Sequence, residues 1–296
     1  MENLKITFSR FLLADNNSKK IKVKNRFKSF LKLHRKIYWI LWKKIGKESI
    51  KSRKYEEFII PLSDQSLGKH LFIDGQFDFD KLIKVNNLIN LNERILIDVG
   101  ANIGPICIPA LKRSIVTKSI AIEPDKYSFE FLRKNVLLNN LTEIQVINAV
   151  VGAENGMELF GSKKKNLGDS KVINEKNEKE FSEIYTVNKI TLNSLVNEVR
   201  SCDYLIWMDV QGFEPFVIEG ASKFTDVRTP IVVEIFPLAI NEYSNFDKIQ
   251  KLLKNYLQFA NLKFDIDFPV FESMDNFKSE YMKLEKSNSY SDYLFI

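Results

Sequence analysis

The stretch RILIDVGANIG, residues 94–104, joins a continuous apolar run to an acid-led glycine turn. Ile95, Leu96 and Ile97 suit a central parallel strand covered on both faces. Asp98 stands two residues before Gly100, and Gly104 follows four residues later. Dinucleotide-binding turns also place close glycines after a first strand, bringing a pyrophosphate onto a helix N-terminus. A carboxylate at the mouth of such a turn would repel that anion. It suits a cationic ammonium instead, such as the methionine end of S-adenosylmethionine (SAM).

A second strand, Ser119–Ile122, ends in Glu123-Pro124, 25 residues after Asp98. An acid there is placed to accept both ribose hydroxyls of an adenosine ligand. NAD domains share that acid, so Glu123 argues for adenosine and the turn argues for SAM. From residue 94 strand and helix patterns alternate, the signature of βαβ units and a doubly wound, mostly parallel α/β sheet. Seven strands are expected, near 94–98, 118–122, 144–149, 203–209, 230–235, 264–270 and 291–296, with helices that include 126–139 and 246–259. Pro105-Ile-Cys-Ile-Pro109 predicts a delayed or kinked helix start, because Pro109 removes a backbone donor. Residues 55–93 read as an apolar Phe58–Ile60, a turn at Gly68 and a helix near 79–90. Residues 153–200 interrupt the rhythm with a short strand at Met157–Phe160, a second at 184–190 and a short helix at 192–199. The polar loop 163–180 between them is either a mobile flap over the acceptor pocket or a solvated insertion.

The chain of 296 residues is 45% hydrophobic, enough for a full α/β core with an appended segment. It has no run of 18 apolar residues, and MENLKITFSRFLLADNN is a poor signal peptide, so a cytoplasmic setting is expected. Cys107 and Cys202 make no disulfide framework and are expected as buried thiols. His34 and His70 both precede the sheet, which disfavours histidine-based catalysis and histidine-rich metal sites. The formal charge of +6 is uneven: residues 1–60 carry 17 Lys or Arg against 5 Asp or Glu, leaving the other 236 residues at −6. A nucleic-acid substrate would want positive charge at the cleft, and none is expected. The basic charge is concentrated in a segment expected to span 1–55, ahead of a catalytic domain at 56–296. Within it, 26–47 reads as an amphipathic helix with Phe27, Phe30, Leu31, Tyr38, Leu41, Trp42 and Ile45 on one face and Lys28, Lys32, Arg35, Lys36, Lys43 and Lys47 opposite. That pattern suits an anionic membrane surface, or packing on the catalytic domain or on a second copy in a homo-oligomer.

The stretches IDVGANIG (97–104), AIEPDKYSFEFLRKNVLLNN (121–140), INAVVG (147–152), KITLNSLV (189–196) and WMDVQGFEPFVIEGA (207–221) resemble the FkbM family of SAM-dependent methyltransferases. The resemblance runs from about residue 90 to about 240, with an echo at the C-terminal SDYLFI. Asp98, Gly100, Asn102 and Gly104 match its first motif, with Ala101 between them, Glu123 its ribose acid, and Asp209, Gly212 and Glu214 its DxxGxE segment. Asn102 replaces a middle glycine and tolerates left-handed angles better than most residues. The resemblance implies SAM as cofactor and hydroxyl acceptors on sugars, glycolipids, polysaccharide precursors or polyketide-like metabolites.

On such a sheet ligands bind beyond the carboxyl ends of the strands. Asp98 would meet the SAM ammonium, Glu123 the ribose, and Asn148-Ala149-Val150 the adenine. The apolar strand Tyr204–Met208 delivers Asp209 beside the methyl donor, as a general base or as an orienting group. Glu214 either serves the acceptor side or caps the next helix. Glu234, ending the strand Ile231–Ile235, would bind an acceptor hydroxyl or balance a cation. No third ligand completes a metal pair with Asp209 and Glu234, so no metal is expected. Two other readings stay open. An NAD-type oxidoreductase or epimerase would need a Tyr-x-x-x-Lys relay, and none is expected at Tyr55, Tyr127, Tyr185, Tyr204 or Tyr281. A non-catalytic binding protein would keep the acids and glycines only for structure.

Overall fold

The computed structural model describes residues 18–53, 55–163, 165–174, 178–200, 202–263 and 265–296, with side chains from residue 29. The expectation for residues 1–17 lies outside the described residues, as do the side chains of Phe27 and Lys28. The chain divides into two compact units that meet between Lys47 and Glu48. In the first, α1 (Ser18–Lys44) is a 27-residue helix. No helix among the described residues is long and apolar enough to cross a membrane.

The second unit opens on an antiparallel pair, β1 (Ser49–Ser52) and β2 (Phe58–Pro61). Then come α2 (Leu67–Asp74) and α3 (Phe79–Ile89). Gly68 therefore lies in a helix and not in a turn. The Asp64 carboxylate accepts its N–H at 2.7 Å, so an acid ahead of the glycine, not the glycine itself, organises this corner.

The sheet proper begins with β3 (Ile95–Val99), α4 (Cys107–Lys112), β4 (Lys118–Ile122), α5 (Lys126–Leu138) and β5 (Ile144–Ile147). Helix α4 does start late. Pro109 is its third residue, where no intrahelical partner is needed for a backbone N–H, so the proline costs no hydrogen bond. Next, β6 (Val150–Val151), β7 (Gly156–Ser162), β8 (Lys171–Val172) and β9 (Glu183–Ile190) form a separate four-stranded sheet in the order β6-β9-β7-β8. The expected helix after it is only a 3-10 turn, Leu192–Ser194, capped by the Thr191 side chain. The chain re-enters the main sheet as β10 (Tyr204–Met208), α6 (Glu214–Glu219), α7 (Ser222–Thr225) and β11 (Ile231–Ile235). It closes with α8 (Pro237–Tyr243), α9 (Phe246–Leu252), β12 (Gln258–Asn261), β13 (Glu272–Ser273), α10 (Phe277–Ser287) and β14 (Ser291–Phe295).

The main sheet has the order β13-β12-β14-β11-β10-β3-β4-β5. The five strands from β11 to β5 run parallel, and β14 inserts antiparallel between β11 and β12. It has eight strands, not seven, because the two-residue β13 pairs at the edge. The sixth expected strand is also displaced. Helix α9 stops at Leu252, so Phe259 and Ala260 reach the sheet as β12, where both are fully buried. Phe268 and Val270, first read as part of that strand, stay in solvent, 89% and 70% exposed. Cys107 is buried as expected, whereas Cys202 is exposed in the turn that precedes β10.

Candidate functional site

The carboxyl ends of β3, β4, β10 and β11 surround a cavity of about 300 Å³. Its floor is the turn after β3. Gly100 has φ +83, and a Cβ there would stand 2.1 Å from the carbonyl oxygen of Asp209. The two strand exits therefore touch, and only glycine lets them. Asn102 takes φ +49, the left-handed angle its position requires. Its N–H donates to Glu123 Oε2 at 2.7 Å, and the Asp125 N–H donates to Oε1 at 2.7 Å. Each carboxylate oxygen carries two acceptor sites, so Glu123 keeps capacity for a ligand's hydroxyls while its rotamer is locked.

Asp98 is buried, and Cys107 N–H donates to its Oδ2 at 3.1 Å from the start of α4. Burial pushes the Asp98 carboxyl up to about 7, against the Cys107 hydrogen bonds. Burial, with Asp125 nearby, pushes Glu123 up to about 8. Both acids lie where the positive charge of a ligand would restore their ionised forms. Ala149 lines the wall with Val150 and Val151, while Asn148 donates from Nδ2 to the carbonyl of Glu123 at 2.8 Å.

On the other side, Gln211 Nε2 donates to Asp209 Oδ1 at 2.7 Å and to Glu234 Oε2 at 3.4 Å. The two acids thus form one pair across β10 and β11, both lining the cavity. Burial raises both carboxyls, and their mutual repulsion adds to Glu234. Behind them, Lys81 of α3 stands 2.5 Å from Asp292 and 2.9 Å from Asp78. Burial works against its charge, yet Asp292 and Asp78 hold the Lys81 ammonium above the ordinary lysine range. Asp292 faces Glu234 directly in the β11–β14 register.

Four of the expected site residues, Asn148, Glu214, Gly212 and Gly104, do not line the cavity. Glu214 is buried beneath the β10 exit, where Oε1 accepts the N–H of Val210 at 3.1 Å and of Gly212 at 3.2 Å. It braces the turn that aims Asp209. Burial pushes its carboxyl up to about 7. Gly212 has φ +100, and a Cβ there would come 2.3 Å from the carbonyl oxygen of Ala239. Gly104, at φ +95, lets Ile108 pack beneath the first turn. These residues shape the backbone and leave the ligand to others.

The sequence reading missed Asp78, Gln211, Phe236 and Tyr290, which line the cavity. Gln211 sits inside DVQGFE and was within reach of a motif argument. Asp78 and Tyr290 come from flanking segments that carry no spacing signal. The insertion also contributes: Leu167 to Val172 form part of the wall. The Gln65 N–H donates to the carbonyl of Lys165 at 3.0 Å, and Lys171 pairs with Glu242 at 2.6 Å. These contacts tie 165–172 to the frame; residues 164 and 175–177 of the expected flap lie outside the described residues.

Against the expectation for Tyr185, Lys189 does stand four residues on, and this one Tyr-x-x-x-Lys spacing in the chain runs along β9. The Tyr185 hydroxyl accepts the N–H of Lys126 at 2.9 Å and Lys189 pairs with Glu158, and neither residue lines the cavity. It is not a proton relay. Nor does either histidine line the cavity. Among the described residues no group of three His, Cys, Asp or Glu is arranged to hold a metal ion.

The donor set decides which ligand fits. Six acids line the cavity (Asp78, Asp98, Glu123, Asp169, Asp209 and Glu234), and among the described lining residues Lys171 is the one Lys or Arg. A pyrophosphate would meet repulsion from every side. A ligand bearing a ribose diol, an ammonium and a sulfonium finds an acceptor for each.

Solved structures to which the chain is similar include M. jannaschii TYW2 in complex with AdoMet (12% identity, 84% of this chain and 85% of that chain, TM-score 0.41). Another is Trm5b from Pyrococcus abyssi (10% identity, 84% and 55%, TM-score 0.42). A third is precorrin-6y C5,15-methyltransferase from Geobacter metallireducens GS-15 (12% identity, 73% and 86%, TM-score 0.37). Likeness at this level bears on neither substrate nor mechanism. A sequence search of curated proteins returns no match. The family model described as the methyltransferase FkbM domain matches residues 98–260, a span that contains Asp98, Glu123, Asp209 and Glu234. The chain belongs to the FkbM family and is a SAM-dependent methyltransferase.

Proposed function

We propose that the methyl acceptor is a hydroxyl oxygen on a sugar, a glycan precursor or a related small polyol. The observation that carries this is the Asp209–Gln211–Glu234 arrangement, two carboxylates bridged by one amide at the acceptor side of the cavity. An alcohol is a poor nucleophile until its proton has somewhere to go. Burial and mutual repulsion make this pair a stronger proton acceptor than an ordinary carboxylate.

Asp98 would hold the ammonium of the cofactor, Glu123 its ribose and Ala149 its adenine. When bound, SAM supplies an electrophilic methyl group on a sulfonium sulfur. Asp209 and Glu234 would orient the acceptor hydroxyl, and one of them would take its single proton, leaving the oxygen able to accept that methyl group. Gln211 Nε2, fixed on Asp209 Oδ1, keeps that carboxylate aimed. Phe236 and Tyr290, in edge contact at 5.9 Å, offer ring faces beside polar groups, a combination that suits the apolar face of a sugar. Positioning supplies up to about 7–11 kcal/mol in ideal cases, and proton removal adds about a hundredfold or more. The acid-rich lining supports a neutral or cationic acceptor and speaks against a polyanionic one such as nucleic acid.

The test is turnover with methyl-labelled SAM on a panel of free-hydroxyl sugars, amines and oligonucleotides, with the product read by NMR. A methoxy signal from a sugar, lost by about a hundredfold or more in Asp209→Asn while cofactor binding persists, is the expected outcome. An N-methyl product, or full turnover in Asp209→Asn, overturns the assignment.

A further inference from the structure

Helix α1 lies in the unit that ends at Lys47 and contributes nothing to the site described above. Its 27 residues contain eleven Lys or Arg and no Asp or Glu. Phe30, Leu33, Ile37, Ile40 and Leu41 are 47–60% exposed. At 3.6 residues per turn these five fall within about 100° of arc. By the same count Lys32, Lys36 and Lys43 lie together on one flank, about 90–130° from the centre of that stripe. The helix therefore shows solvent an apolar stripe and carries an unbroken positive charge, in a chain whose remaining residues are net acidic.

We infer that α1 is a docking helix for an anionic lipid surface, lying in the interface with its apolar stripe in the acyl boundary and its cations among the headgroups. Charge selects this occupant. A second copy would bring eleven like charges against eleven, and the absence of any carboxylate in α1 leaves no compensating pairs between copies. An anionic bilayer supplies both complements at once, apolar depth for the stripe and negative charge for the lysines. The helix is unable to span the bilayer, so the attachment is peripheral and reversible. The attachment does not depend on which hydroxyl is methylated.

The experiment is co-sedimentation of the full chain with vesicles of phosphatidylcholine alone or mixed with phosphatidylglycerol. Binding is expected only to the anionic vesicles and is lost at high salt, where screening shortens to about 3 Å. Replacing Lys36, Lys43 and Lys44 by Gln should weaken binding by about fivefold for each lysine. Phe30→Ser with Ile37→Ser and Leu41→Ser should abolish it while S-adenosylhomocysteine binding and the thermal midpoint stay unchanged. Equal binding to neutral vesicles, or no binding to either, overturns the inference. So does a fall in thermal midpoint in the serine variant, which means that protein covers the stripe. A full chain that is dimeric in solution, becoming monomeric in that variant, points to a second copy and overturns it too. Each readout is independent of turnover, so a failed acceptor assignment leaves this result standing.

Discussion

Replacing Lys81 by Met removes a cation from a buried cluster that holds Asp78, Asp209, Glu234 and Asp292. Its ammonium is 2.5 Å from Asp292 and 2.9 Å from Asp78, with side-chain exposures of 12% for Lys81, 6% for Asp292 and 29% for Asp78. Breaking a buried pair by deleting one partner costs about 3–5 kcal/mol, and the partial exposure of Asp78 places this case near the lower end. For a unit of this size about 3 kcal/mol lowers the thermal midpoint by about 6–12 °C. The same ammonium also lowers the carboxyls of Asp209 and Glu234, against burial. Its loss lets both rise further, so the acidic limb of the activity profile should move to higher pH. Thermal denaturation and a pH series of turnover measure the two effects separately. Lys81→Arg should retain most of the stability, and adding Asp292→Asn to Lys81→Met should recover part of it, because the stranded charge is then gone. A midpoint within about 1 °C of the parent together with an unmoved pH profile in Lys81→Met would refute the brace.

Gly100→Ala places a methyl group 2.1 Å from the carbonyl oxygen of Asp209 at φ +83, so the two strand exits must separate; calorimetry should find S-adenosylhomocysteine binding weakened by about a hundredfold, and undiminished affinity would show that the turn gives way freely. Asp98 and Glu123 sit near 7 and 8 in the ligand-free protein, above their ordinary values of 3.8 and 4.5. Raised carboxyls stabilise the fold below about pH 4 and lose that contribution as pH rises through 7 to 8, while a ligand's ammonium and ribose hydroxyls bind their ionised forms. Affinity for S-adenosylhomocysteine should therefore strengthen between pH 6 and about 8.5 with release of protons, seen as a dependence of the binding heat on buffer ionisation; affinity that falls over this range would contradict the assignment.

Much of the fold is legible in the chain because its determinants are local. Ile95–Ile97 announces a buried strand, Asp98, Gly100 and Asn102 a turn of left-handed angles, and Glu123 an acid 25 residues on, all within one βαβ unit. Periodicity served less well at the edges. Residues 246–259 carry a helix-compatible pattern, but the sheet claims Phe259 for β12, since its contacts with Tyr293 and Phe295 are made across strands distant in sequence. Residue types also misled at Glu214. An acid in a first helical turn reads as a cap, yet only the folded β10 exit brings the N–H groups of Val210 and Gly212 onto one of its oxygens.

By itself, then, the amino-acid sequence determined the doubly wound core and the cofactor class, and it put the acids Asp98, Glu123, Asp209 and Glu234 at or just beyond the ends of their strands. Each of these depends on a short segment whose residue types and spacing carry the chemistry. Only the tertiary structure decided that Asp209 and Glu234 share Gln211, that Lys81 and Asp292 stand behind them, and that Asp78 and Tyr290 line the same cavity. Lys81 and Asp292 are more than two hundred positions apart and bracket the matched family segment. Their pairing arises because β14 runs antiparallel beside β11, setting Asp292 opposite Glu234 and within reach of α3. No local pattern encodes that juxtaposition, since it is a property of strand order and not of residue spacing.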